Sequence, residues 1–176
     1  MNTVQGSDAV VGAWRLVSWE TRAADGEVTY PMGTDALDYV LYTADGRFSV
    51  TISRRDRAEF AAGDLLGGTT QEQARAVQGF VAYAGRYSFL GDRVIHHVEL
   101  SLFPNWVGSN QERWVELAGR RLTLSASPLL LGASGRCPGW SGSGLTRCLT
   151  STDRDLAGPT DRGVAKAASS PMVEVP

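Results

Sequence analysis

Short segments of alternating apolar and polar residues, separated by two-residue turn signals, run through the chain up to about Ser134. Gly12 to Arg22 (GAWRLVSWETR) is β-rich, and Asp25-Gly26 turns it into Glu27–Tyr30, which Pro31 ends. A period of two with Asn/Asp-Gly type turns is the signature of β-hairpins. The pattern repeats. Leu37 to Thr43 turns at Asp45-Gly46 and returns as Arg47–Ser53. Gly85–Leu90 turns at Gly91-Asp92 into the long segment Arg93–Phe103, and Gln111–Leu117 turns at Ala118-Gly119 into Arg121–Ser127. About eight short strands joined mainly by tight turns predict a mainly β, antiparallel meander. Closing it into a barrel removes the exposed edges that such a meander would otherwise carry.

One stretch breaks the period. Thr70-Gln71-Glu72-Gln73 reads as a capping box, with the Thr70 hydroxyl and Gln73 amide serving backbone donors, and Ala74, Val77, Phe80 and Val81 follow on one helical face. The flexible Ala61–Gly68 segment precedes it. Residues 54–82 therefore read as a loop and one short helix, between the fourth and fifth strands, covering one end of the barrel.

Composition sets limits on partners. The chain has 176 residues, 17 Lys+Arg against 19 Asp+Glu and a formal net charge of -2. That balance argues against a nucleic-acid binder or a polybasic membrane patch. No apolar run reaches the ~18 residues of a membrane span, and the polar start MNTVQGSD lacks the apolar core of a signal peptide, so a cytoplasmic location is expected. From Cys137 onward the chain is rich in Gly, Ser, Thr, Pro and Ala without a sustained period. The expected organisation is a flexible N-terminus (1–9), a barrel (10–134) and an irregular, disordered tail (135–176) that holds both cysteines, Cys137 and Cys148.

Gly12-Ala13-Trp14 carries the Gly-x-Trp pattern of lipocalins. TYPMG (29–33), YTADGRFSV (42–50), YAGRYSFLGD (83–92) and HHVELSLFPNWVG (96–108) stand in the order of small bacterial and fungal lipocalin-like domain proteins. Over about residues 10–132 the chain resembles that family. The resemblance implies a lipocalin-like β-barrel whose apolar interior binds a small hydrophobic molecule, with Trp14 plugging the closed end under an Arg from the last strand. It also implies a closing strand of the form Leu-Val-Trp-Glu-Arg soon after Pro128-Leu129-Leu130-Leu131, where this chain instead reads Cys137-Pro138-Gly139-Trp140-Ser141-Gly142-Ser143-Gly144. Of the 17 basic residues only Lys166 is Lys, a bias that points to GC-rich codons. Back-translated with such codons and read two bases later, the octapeptide becomes Pro-Arg-Leu-Val-Trp-Glu-Arg. A slip of one or two bases near codons 133–137 would make the tail an out-of-frame product.

The chemistry-bearing residues are few. His96 and His97 are adjacent on a strand and must face opposite sides, so they cannot grip one metal together. Val94, His96, Val98 and Leu100 form the more apolar face, which favours His96 inside the barrel, where a neutral imidazole could serve as acid or base near pH 7. Arg113 shares a face with Val115 and Leu117 and is a candidate inward charge. Its partner is either Glu99, through a bulge that flips the register, or the anionic group of a ligand. Tyr30, Tyr39, Tyr42 and Tyr87 offer rings and hydroxyls to an oxygenated ligand, and core filling explains each as well. Pro104 bends the long strand and puts Asn105 and Trp106 at a rim.

These readings give a catalytic set of His96, Arg113 and Tyr87, and a ligand-binding set of Tyr30, Tyr39, Tyr42, Glu99, Asn105 and Trp106. Neither a metal nor a cofactor is expected. The expected function is binding of a small hydrophobic, oxygenated metabolite by a monomer or homodimer, with cofactor-independent cyclisation or isomerisation in natural-product biosynthesis. A non-catalytic carrier or sequestering protein and a haem-binding barrel are the alternatives.

Overall fold

The computed structural model describes residues 7–23 and 26–126, together with the backbone of 147–154. Antiparallel strands β1 (Gly12–Arg22), β2 (Val28–Thr29), β3 (Leu37–Tyr42), β4 (Arg47–Ser53), β5 (Phe80–Phe89), β6 (Arg93–Ser101), β7 (Asn110–Ala118) and β8 (Arg121–Ala126) follow the expected order. Residues Arg147–Arg154 add β9. The sheet runs β2-β1-β3-β4-β5-β6-β7-β8-β9, and β9 also pairs with β1, closing the ring.

Turn chemistry explains the hairpins. Between β3 and β4, Gly46 takes φ +83°, a conformation that costs a residue with a Cβ about 1–2 kcal/mol. The Thr43 amide donates to the Arg47 carbonyl at 2.9 Å. In each strand the inward parity carries the apolar residues. Val40 and Tyr42 of β3, Phe48, Val50 and Ile52 of β4, Tyr83 and Tyr87 of β5, Val94 and Val98 of β6, and Leu122 and Leu124 of β8 are all buried in one cluster.

The structure departs from the sequence reading at three places. The helix α1 (Thr70–Gln78) is capped by Thr69 with Glu72, one residue earlier than the expected Thr70 and Gln73 pair. Thr69 wins because its backbone is extended and its side chain reaches the Glu72 amide. Phe80 and Val81 leave the helix for β5, and no residue of α1 is buried. Leu100 turns outward and is 70% exposed, because a bulge opposite Ala84 and Gly85 shifts the register of β6. β9 lies within the stretch read as an irregular tail. Its backbone fills the gap between β8 and β1, two strands whose facing donors and acceptors need partners. The remainder of that tail, the N-terminal Met1–Gly6 and the octapeptide Cys137–Gly144 lie outside the described residues.

Candidate functional site

Strand alternation places a polar group among the apolar residues of the barrel interior. His96 is opposite Tyr87 on β5 and is fully buried. The Phe48 ring stacks on its imidazole at 4.1 Å between centroids, with 12° between planes. The imidazole bridges two phenols: Nε2 lies 2.7 Å from the Tyr42 hydroxyl and Nδ1 3.3 Å from that of Tyr83. Burial, then the nearby Arg113 and His97 charges, hold His96 well below its ordinary pKa, so the ring is neutral. A neutral imidazole has one donor and one acceptor nitrogen, and each meets a phenol. Burial likewise pushes the Tyr42 hydroxyl well above its ordinary value.

The set extends toward both ends of the barrel. Tyr83 meets Trp106 edge to face at 5.2 Å, and Trp106 meets Phe103 at 5.8 Å. Trp106 sits in a single 3-10 turn (Pro104–Trp106) after β6. At the opposite end, Tyr42 packs edge to face on Tyr87 at 4.9 Å, and the Tyr87 hydroxyl donates to the Thr43 carbonyl at 3.0 Å. Trp14 is fully buried and its indole N–H donates to the Val10 carbonyl at 2.8 Å, which places it as a core anchor of the β1 end. In the β1–β9 register the backbone of Arg154 stands opposite Trp14.

Arg113 is 9% exposed and pairs in register with Val94, so its guanidinium belongs to the interior. One nitrogen donates to the Glu112 carbonyl at 2.8 Å, and among the described residues no carboxylate pairs with it. Glu99 is not its partner: it stays on the outer face, within 3.5 Å of Arg47 and 3.4 Å of Arg86. The register shift at Ala84/Gly85 does not turn Glu99 inward.

The structure therefore brings together Tyr42, Tyr87, His96 and Arg113 from the expected residues, with Trp106 nearby at the rim. It keeps others apart. Tyr39 lies on the outer face of β3, 47% exposed, with the Arg15 guanidinium 5.8 Å from its ring centre. Tyr30 is 41% exposed in the connection after β2, and Asn105 is exposed. His97 faces outward, between the Ser88 hydroxyl (2.9 Å) and the Asn110 amide oxygen (2.8 Å).

Two interior residues escaped the sequence reading. Tyr83 is one. The other is Asp38 on β3, 5% exposed, with neither carboxyl oxygen hydrogen-bonded. Burial raises its pKa from 3.8 to about 8, so the group is a neutral carboxylic acid at pH 7. The signal was available: Asp38 has the same parity as Val40 and Tyr42, and alternation alone puts it inside.

Haem ligation by His96 does not fit this arrangement. Both ring nitrogens of His96 are engaged by tyrosines, so the interior imidazole has no vacant nitrogen for an iron. Among the described residues no group of three His, Cys, Asp or Glu could hold a metal ion. No helix among them is long and apolar enough to cross a membrane.

The profile of the lipocalin-like domain family matches residues 11–136. The chain belongs to that family. The matched region spans β1 to β8 and contains every interior residue described above. It ends one residue before Cys137, the point at which the sequence departs from the expected closing strand. The chain is 36% identical over 92 residues to the 4'-hydroxy-3'-methoxypropiophenone carrier protein ppsC of Aspergillus oryzae, covering 47% of this chain and 83% of that protein. Among solved structures it is similar to a lipocalin-like protein from Bacteroides uniformis, at 15% identity over 83% of this chain and 98% of that one, with a TM-score of 0.41. A protein from Bacteroides eggerthii aligns at 14% identity over 80% of this chain and 97% of that one, with a TM-score of 0.38.

Proposed function

We propose that the barrel binds and carries a small, oxygenated aromatic molecule of secondary metabolism. The observation that carries this reading is Arg113, a buried cation that no carboxylate pairs with among the described residues, near the Tyr42 phenol in a mainly apolar interior. A buried guanidinium left unpaired costs several kcal/mol, and an acidic phenol or similar oxygen of a ligand would offset that cost. Tyr42, Phe48, Tyr83 and Tyr87 supply flat apolar surface against which an aromatic ring packs, with hydroxyls that select for oxygen. The relative in Aspergillus oryzae, whose name describes a carrier of an aromatic ketone bearing phenol and methoxy groups, supports the same ligand class.

Carriage fits the geometry better than cyclisation or isomerisation. A general acid or base must offer or accept a proton at the substrate, and both nitrogens of His96 are occupied by the protein's own tyrosines. Its depressed pKa also keeps it neutral over the physiological range. His96 then serves to hold Tyr42 and Tyr83 in place. Native mass spectrometry of the protein purified from its own host tests the reading. The expected result is an adduct of a few hundred daltons that ultraviolet absorbance identifies as aromatic. A haem mass with a Soret band, or an aliphatic lipid, would contradict it.

A further inference from the structure

Asp38 is the buried titratable group that the Arg113 end of the interior does not explain. In register it pairs with Ile52 of β4, and Ile52 pairs with Val81 of β5, so the carboxyl group sits in an apolar row. This row lies at the end of the barrel where β4 leaves for the 54–69 connection and β5 returns from α1. Four residues along β3, about 13 Å at the rise of a strand, separate Asp38 from Tyr42 and the His96 pair. Between them lie Val40, Val50 and Tyr83. Asp38 thus lies apart from the polar set around His96, with Val40 and Val50 between them.

Both oxygens of Asp38 are shielded from solvent and neither meets a donor. An unsatisfied buried polar group costs about 1–3 kcal/mol, and a Val or Leu at this position would cost nothing of the kind. A hydrogen-bonding ligand group would remove that cost. The occupant's charge follows from the surroundings. A cationic amine would be repelled by Arg113 and would force two buried charges into an apolar row. An additional anion would have no donor other than the acid proton itself.

We propose that Asp38 is a ligand-binding residue whose carboxyl group donates a hydrogen bond to a neutral carbonyl oxygen of the aromatic ligand, while the ligand's acidic hydroxyl lies toward Arg113 and the tyrosines. This rests on the carrier reading above and adds an orientation and a selectivity to it: the ketone end faces the β4–β5 connection, and an analogue without the ketone loses its partner. Burial keeps the carboxyl group protonated near pH 7, as the donor role requires. Access to it requires side chains at that end to give way. The Leu65 and Leu66 side chains of the connection, 92% and 86% exposed, show that this segment is not packed down over the barrel.

The test uses the full chain and two probes, 4'-hydroxy-3'-methoxypropiophenone and 2-methoxy-4-propylphenol, which differs by lacking the ketone oxygen. Isothermal titration is run on the unaltered protein, on Asp38→Leu and on Asp38→Asn. The unaltered protein is expected to prefer the ketone by about tenfold, the worth of one buried hydrogen bond. Asp38→Leu should abolish that preference while binding the deoxy probe at least as well, and Asp38→Asn, which keeps an N–H donor, should retain most of it. A ketone preference that survives in Asp38→Leu overturns the assignment of Asp38. Equal binding of both probes by the unaltered protein overturns it as well, and leaves the carrier reading standing. Failure of both probes to bind the unaltered protein overturns the carrier reading, and with it the role of Asp38. Replacing an unpartnered acid by Leu is not expected to unfold the barrel, which thermal melts of each variant verify.

Discussion

Asp38 and His96 resist charging for the same reason, since both are removed from water, yet their contributions to stability run in opposite directions with pH. Unfolded, Asp38 ionises at its ordinary 3.8, and folded at about 8, so in between the native state holds a proton that the unfolded chain does not. Stability from this group is therefore complete below pH 3.8 and is lost as pH rises toward 8, by up to about 1.4 kcal/mol per unit. His96 works the other way. Its folded pKa lies well below 6.5, so the unfolded chain gains the proton first and stability falls as pH drops below about 6.5. Between 6.5 and 8, of these two groups, only Asp38 acts. Thermal melts should show the midpoint falling between pH 6.5 and pH 8, and Asp38→Asn should flatten that fall and steepen the loss of stability below pH 6.5, where Asp38 otherwise offsets His96. An equal fall in the variant would mean that Asp38 is ionised in the fold. The parity argument that placed His96 and Arg113 inside applies equally to Asp38. Asp is depleted in strands and common in turns, so its residue type argues against the interior position that its parity gives it.

At the scale of elements, the β5–β6 pairing shows why turns and strands were legible and bulges were not. The two-residue turns carry their own chemistry, as Gly46 does, and can be read locally. A bulge depends on the partner strand. Gly85 is the residue that permits this one: a Cβ there would lie 2.0 Å from the His97 carbonyl oxygen and 2.9 Å from the Glu99 amide. Its φ is not in the left-handed region, so the constraint is the close approach of β6. Gly85→Ala should destabilise the fold by about 3 kcal/mol or more in urea denaturation. Gly91→Ala makes the instructive comparison. There nothing lies within 4 Å and only the strained φ of +93° counts, for about 1–2 kcal/mol. Equal effects at the two positions would show that β6 is not pressed against Gly85. The same bulge explains why the expected alternation of Val94, His96, Val98 and Leu100 failed at its last member. The helix boundary moved for a comparable reason, since Thr69 and Thr70 both satisfy the motif and only the backbone angle at Thr69 decides between them.

For the whole molecule, closure is the property that the first 126 residues foreshadow without supplying. Eight strands, their order and their inward faces followed from period and turn residues, because each hairpin is a local event. The closing strand is a long-range event: β9 pairs with β1 across more than a hundred residues of chain. Arg147–Arg154 lies in a stretch whose composition signals no strand, and it pairs where two facing edges are available. The family match stops at residue 136, well before β9. If β9 is what covers the edges of β1 and β8, a chain truncated before Arg147 should expose both and self-associate, eluting as a dimer or larger in size-exclusion chromatography. A truncated chain that stays monomeric with an unchanged melting temperature would show that β9 contributes nothing to closure.

The central claim is that the barrel interior, rather than the outer surface, takes an oxygenated aromatic ligand. The outside offers a competing cleft of about 280 Å³ between the β4–β5 connection and α1, lined by Arg54, Arg57, Phe60, Glu72 and Arg75. Methyl and aromatic NMR spectra recorded during titration with 4'-hydroxy-3'-methoxypropiophenone separate the two directly. Saturable shifts at Val40, Val50, Tyr83 and Val98, with Ala76 and Phe60 unmoved, are the predicted result. Shifts confined to Phe60 and Ala76, or no saturable shift at any interior residue, would contradict the account.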